Sequence, residues 1–239
     1  MPSQTNSSVE WKITVPSSSK AVQKIDPLYV VVEGPIGVGK TTLVRKLQSQ
    51  MNAQLLLEIV EENPFLEKFY QDKDRYAFQT QLFFLMSRFK QQKDLQKEGK
   101  QSYLADYHLL KDKIFAELTL KQEELSLYQT VFQSLATCIR KPDVLIYLHA
   151  DSQVLLKRIE QRNRSFEKNF DVSYLNKLSD KYRSHFSAYQ ETPMIRLNTS
   201  TIDYVNDDGP IHEILQETNR LVNAVRNGIK VSDCVSSNY

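Results

Sequence analysis

Cysteine is nearly absent: Cys138 and Cys234 are the only two in 239 residues. Two thiols supply neither a disulfide framework nor a zinc-ligand spacing, which excludes a stapled secreted scaffold and leaves a reducing, cytoplasmic setting as the expectation. A charge excess of one sign is missing too. A net charge of +2 gives no basic field for a nucleic-acid partner, although clustered arginines can still build a local anion site. No run approaches the roughly 20 apolar residues of a membrane span, so no membrane partner is expected. The opening Met1 to Asp26 mixes Ser, Asn, Gln and Lys without an apolar h-region and does not read as a secretory signal. Residues 1–27 are expected to be a mobile N-terminal extension, within which Trp11-Lys-Ile-Thr-Val15 could instead pack as a short strand, and 228–239 a loose tail. Internal repeats are absent, as is low complexity beyond the serine-rich start.

What is present suits one α/β core: 41% apolar and 25% charged residues are ordinary globular proportions, and the length favours a single domain. Five short β-rich runs alternate with longer helical stretches, the pattern of a parallel sheet with helices on both faces. The runs are Leu28 to Glu33, Leu55 to Val60, Tyr103 to Asp106, Val144 to Leu148 and Met194 to Leu197. Between Phe65 and Lys97, Leu82, Phe83, Leu85, Met86 and Phe89 recur at helical spacing and are expected to be mostly core. In open α/β sheets ligands bind beyond the carboxyl ends of the strands, so functional residues are sought there.

Directly behind the first run stands Gly34-Pro35-Ile36-Gly37-Val38-Gly39-Lys40-Thr41-Thr42. It fits G-x-x-x-x-G-K-[ST], a loop whose backbone N–H groups turn inward around a phosphate at a helix N-terminus. Lys40 would reach the β- and γ-oxygens, and the Thr41 hydroxyl would ligate Mg²⁺. An ordinary glycine turn is the bland alternative; the strand in front and the amphipathic stretch Thr41 to Met51 behind argue against it.

The second run leads through Glu58 to Glu61 and Glu62, then to Asn63-Pro64, where Asn63 can cap a helix that Pro64 begins. Glu58 is read as lying on the strand itself, where a carboxylate can take the proton of an attacking hydroxyl. Glu61 and Glu62 have the plainer role of complementing a helix dipole. Asp106 closes the third run and could hold Mg²⁺ through water, or merely cap a helix. Arg158 and Arg162, four apart, share one helix face, and Arg164 follows at the helix end. Three guanidinium groups suit an arginine-rich lid over a transferring phosphate, with a solvated basic helix as the alternative.

Together these residues resemble the deoxynucleoside kinases, most closely the bacterial deoxyguanosine and deoxyadenosine kinase branch. The resemblance covers roughly Tyr29 to Leu197. It rests on the phosphate loop, Glu58-Ile-Val-Glu-Glu-Asn-Pro-Phe-Leu, Phe78-Gln79-Thr80, Asp106-Tyr-His with Asp112 and Ile114-Phe-Ala116, and Arg158…Arg162-Asn-Arg164…Glu167. It implies a P-loop kinase fold over a single domain, 28–227, with ATP as donor, Mg²⁺, a deoxynucleoside as substrate and a helical homodimer. It further implies Glu58 as the general base, with Lys40, Arg162 and Arg164 in catalysis and Arg158 beside them on ATP. Gln79 and Asp112 would read the base, Tyr70 and Glu167 hold the sugar 3′-hydroxyl, and Met86 and Asp106 complete the substrate site. Two departures stand out: Ile59 where much of the family has proline, and Tyr107-His108 where many members have an arginine after the acidic residue.

Two rival readings use the same loop. A nucleoside monophosphate kinase of the thymidylate type would need cations for the acceptor's own phosphate, and Tyr107 stands where such an arginine is expected. A guanine-nucleotide switch would carry N-K-x-D; Asn176-Lys177-Leu-Ser-Asp180 is one residue too long.

Overall fold

Four of the five apolar runs become strands because they are largely covered on both faces, whereas the run expected from Leu55 gives strand only at Leu55 and Leu56, in an edge strand that leaves Gln54 exposed. The computed structural model describes residues 11–14, 28–98, 101–164, 167 and 170–227. The expectations for 228–239 and for most of 1–27 lie outside the described residues. Five parallel strands, β2 (Tyr29–Glu33), β3 (Ala53–Leu56), β4 (Ser102–Ala105), β5 (Val144–His149) and β6 (Met194–Asn198), lie in the order β6-β5-β2-β4-β3.

A sixth, β1 (Trp11–Thr14), pairs antiparallel with β6, Trp11 opposite Leu197 and Thr14 opposite Met194. For these four residues the expected mobile extension is corrected in favour of the short strand. An edge strand offers a row of unpaired N–H and C=O groups, and β1 covers that of β6.

Side chains alternate across the sheet with period two. Val30, Val32, Ile146 and Leu148 pack with Leu43 and Leu47 of α1 (Lys40–Gln48) and with Ile211 and Ile214 of α8 (Gly209–Arg226). Val31, Leu145 and Tyr147 face the other way, onto Ile114 of α4 (Leu110–Thr119) and Leu178, Tyr182 and Phe186 of α7 (Val172–Ser187). The 26-residue α3 (Lys73–Glu98) packs on α4 and on α5 (Gln122–Ala136), with the short α2 (Leu66–Gln71) before it.

Two boundaries differ from expectation. β3 stops at Leu56 because its partner β4 stops at Ala105, after which side chains take over the hydrogen bonds. Asp106 Oδ1 accepts the Glu58 N–H at 2.8 Å and Gln91 Nε2 donates to the Leu57 carbonyl at 3.2 Å. Glu58 therefore sits just past the strand rather than on it. Asn63 accepts the Phe65 N–H at 3.0 Å and donates to the Thr80 carbonyl at 3.1 Å, tying a turn to α3, and the helix begins only at Leu66.

Candidate active site

At the carboxyl edge of the sheet a cavity of about 920 Å³ runs from the phosphate loop, past Glu58 and Asp106, to Phe84 and Arg88 of α3. Its floor is the loop between β2 and α1. Gly37 and Gly39 hold φ of 82° and 99°, backbone that favours glycine, and a Cβ at Gly39 would lie 2.1 Å from the Tyr204 hydroxyl. That hydroxyl donates to the Val38 carbonyl at 2.9 Å and anchors the loop from below.

Lys40 Nζ donates to the Gly34 and Pro35 carbonyls at 2.6 and 3.2 Å and lies 4.0 Å from Glu33 Oε1. Burial, followed by the nearby Lys111 ammonium, lowers its pKa to about 8. Glu33, which ends β2, is wholly buried and accepts the Gly34 N–H at 2.8 Å, the Tyr182 hydroxyl at 3.1 Å and the His108 N–H at 2.5 Å. Thr41 Oγ1 donates to Asp106 Oδ2 at 2.5 Å, so the two expected metal residues meet at the loop's edge. Both offer hard oxygen donors, which suits Mg²⁺ held jointly with phosphate oxygens rather than by a protein cage. Among the described residues no cluster of three His, Cys, Asp or Glu could hold a metal alone.

Glu58 is capped twice, by Arg88 Nη2 on Oε1 and by Lys111 Nζ on Oε2 at 2.6 Å. Burial alone would raise its pKa, but the Lys111 and Arg88 cations outweigh it and hold the carboxyl well below the usual range. Arg88 also pairs through Nη1 with the buried Asp112, whose own pKa burial pushes upward against the pull of that guanidinium. Asp112 thus acts from behind Arg88 and does not itself line the cavity.

The helical phase of α3 corrects two site assignments. Gln79 and Met86, seven residues apart, are both exposed and do not line the cavity. Gln81 and Arg88, also seven apart, are buried on the opposite face and do line it. Two residues along a helix is a rotation of about 200°, so an amide expected at 79 is delivered at 81. The available signal was Gln81, Arg88 and Gln92 recurring at helical spacing with Ala77, Phe84 and Leu85, a polar set on the buried face. Arg88, Lys111 and Glu33 were missed as well.

The arginines gather at the mouth. Arg162, last residue of α6 (Ser152–Arg162), grips Glu167 with two donors at 2.5 and 3.2 Å, while Asn163 closes the helix in the left-handed region at φ 50°. Arg164 reaches Glu61 at 3.3 Å. Arg158 is turned inward, donating to the Thr199 hydroxyl and carbonyl at 3.1 and 2.7 Å. Tyr70 lines the same wall as Glu167, and burial, then the Glu167 charge, raises its pKa.

A family model described as deoxynucleoside kinase matches residues 30–223. A deoxyguanosine kinase of Bacillus subtilis is 40% identical over 179 residues, 73% of this chain and 86% of the relative. A deoxyadenosine/deoxycytidine kinase of the same organism is 34% identical over 196 residues, 79% of this chain and 90% of that protein. The solved deoxyadenosine kinase of M. mycoides with bound dATP is 24% identical, covering 80% of this chain and all of that one at a TM-score of 0.71, and shares its fold. Sheet order, phosphate loop and the carboxylate-lined cavity agree with that likeness, and the chain belongs to the deoxynucleoside kinase family, a family of phosphotransferases.

Proposed function

We propose that the protein transfers the γ-phosphoryl group of ATP, with Mg²⁺, to the 5′-hydroxyl of a purine deoxynucleoside, releasing the 5′-monophosphate for nucleotide salvage. The observation that carries this is Glu58: a partly buried carboxylate kept ionised in the same cavity as the phosphate loop, within one side chain's length of the Thr41–Asp106 pair.

The acceptor would lie between Glu58 and α3. Its 5′-hydroxyl displaces Arg88 from one oxygen of Glu58 and donates its proton there as its oxygen attacks the γ-phosphorus. The bond from phosphorus to the bridging oxygen breaks, ADP leaves, and the product carries the new ester. Lys40 supports the β- and γ-oxygens, and Arg162 and Arg164 serve as the lid that neutralises charge on the transferring group. Thr41 and Asp106 would hold Mg²⁺, which when bound supplies charge neutralisation on the donor phosphates. Tyr70 and Glu167 hold the sugar 3′-hydroxyl.

Arg88 presents paired N–H groups and Gln81 an amide to the base. Paired acceptors such as guanine O6 and N7 suit an arginine fork, which favours deoxyguanosine over deoxyadenosine. The enzyme is read as cytoplasmic and as a homodimer formed by helices, with exposed Met86 on α3 and Leu127 on the adjoining α5 as supporting surface. Acceptor specificity is checked with a panel of nucleosides, ATP and Mg²⁺ in one coupled assay, with deoxyguanosine 5′-monophosphate as a further acceptor. Deoxyguanosine should give the highest kcat/KM. Turnover of the monophosphate alone would sink this reading in favour of a monophosphate kinase.

A further inference from the structure

The stretch after Asp106 lacks an arginine, and Tyr107, which follows, is buried with its hydroxyl on Gln91 Oε1 at 2.8 Å. A cation nonetheless stands beside Glu58 in the cavity. Lys111, in the first turn of α4, is nearly buried, lines the cavity and donates to Glu58 Oε2 at 2.6 Å. Its ammonium also acts on Lys40 and on Glu33, so it stands between the proton acceptor and the phosphate loop.

We propose that Lys111 is a catalytic residue that follows the negative charge during transfer, moving from Glu58 to the attacking oxygen as Glu58 takes the proton. The inference rests on Glu58 being the general base. Two cations face one carboxylate, and they differ in what else holds them. Arg88 is fixed from behind by Asp112, whereas Lys111 hydrogen-bonds Glu58 and otherwise lies over the Phe115 ring. When the 5′-hydroxyl proton passes to Glu58, that carboxylate becomes neutral and its hold on the ammonium falls. The charge now lies on the oxygen joining the γ-phosphorus and on the phosphoryl oxygens, where a preorganised ammonium is worth most. No proton leaves Lys111, so the balance is simple. One O–H bond breaks at the sugar and one forms at Glu58, one P–O bond forms, one breaks, and ADP departs.

A lysine that merely filled space would not aim its ammonium into the cavity at Glu58 Oε2. Besides Lys111, the groups facing Glu58 are Arg88 of α3, Asp112 of α4, Asp106 after β4 and Lys40 at the loop. The phenols of Tyr70, Tyr107 and Tyr182 complete the set and stay neutral in the working range. Of the cations among them, Lys111 and Arg88 bond the carboxylate.

The test compares wild type, K111M, K111Q, K111R and E58Q in kcat and KM with deoxyguanosine, ATP and Mg²⁺, each variant checked for cooperative melting. The neutral variants should lose kcat by about 10²-fold with KM for deoxyguanosine changed less than about threefold. K111R should recover part of kcat. A neutral variant with kcat within twofold of wild type overturns the proposal. So does failure of both neutral variants to fold while K111R folds, since that makes Lys111 a structural partner only. E58Q separates the two levels: if it keeps turnover, the general-base reading itself has failed, whereas an inactive E58Q beside an active K111M condemns only the role of Lys111.

Discussion

Gln81 and Gln79 carry the same amide two positions apart, and only Gln81 meets the cavity. Gln81→Ala should raise KM for the deoxynucleoside by about 10-fold, since a buried base edge left without its partner costs on the order of 1 to 3 kcal/mol. Gln79→Ala should leave steady-state kinetics unchanged, and a KM effect there of the size expected at 81 would restore the original assignment. His108 gives a pH effect with a definite sign. Its Nδ1 accepts the Leu110 N–H at 3.0 Å, its ring packs edge-on to Tyr189, and burial lowers its pKa from 6.5 to about 4. Between those values the unfolded chain binds more protons than the folded one, so stability rises with pH. The contribution is full above about pH 6.5 and is lost as pH falls through 4. His108→Gln should flatten the fall in Tm between pH 6.5 and 4 relative to wild type. An identical slope would place the acid sensitivity elsewhere.

Among the elements, the phosphate loop was legible down to its residues because glycine spacing, a strand before it and a helix after it all constrain one another. Its anchor was not, because Tyr204 lies far along the chain and reaches the loop only in three dimensions. Tyr204→Phe removes one buried hydrogen bond to the Val38 carbonyl and should lower stability by about 1 kcal/mol in denaturant unfolding, with a raised KM for ATP. Gly39→Ala meets that hydroxyl and a positive φ together, and should abolish measurable ATP binding by calorimetry. Normal binding in that variant would mean that the loop is not held as described. α3 was misread for the opposite reason. Its buried face carries Gln81, Arg88 and Gln92, so a hydrophobic stripe could not set its phase, and Lys111 resembled any solvated lysine in a first helical turn. Functional helices turn polar residues inward, and that defeats a rule built on burial.

For the whole molecule, four of the five parallel strands could be read closely from sequence because burial on both faces makes each an almost unbroken apolar run, whereas the edge strand β3 leaves Gln54 exposed and shares only Leu55 and Leu56 with the run expected there. β1 obeys no such rule, being an edge strand of four residues whose pairing depends on β6, 180 residues onward in the chain. Deleting residues 1–14 should lower Tm by a few degrees while kcat stays within about twofold, because β1 and the central β2 are separated by β6 and β5. Loss of activity without loss of stability would tie the N-terminal segment to the site. The sheet sets phosphate loop, Asp106 and the approach to Glu58 along one edge, and in the proposed reaction donor and acceptor meet there over a single carboxylate. That meeting is tested most directly by following ³¹P signals from ATP, Mg²⁺ and deoxyguanosine with wild type beside Glu58→Gln. Wild type should build deoxyguanosine 5′-monophosphate and ADP in equal amounts, and the variant should bind ATP normally yet form product about 10² times more slowly or worse. Product formation by Glu58→Gln at the wild-type rate would contradict the central role given to that carboxylate.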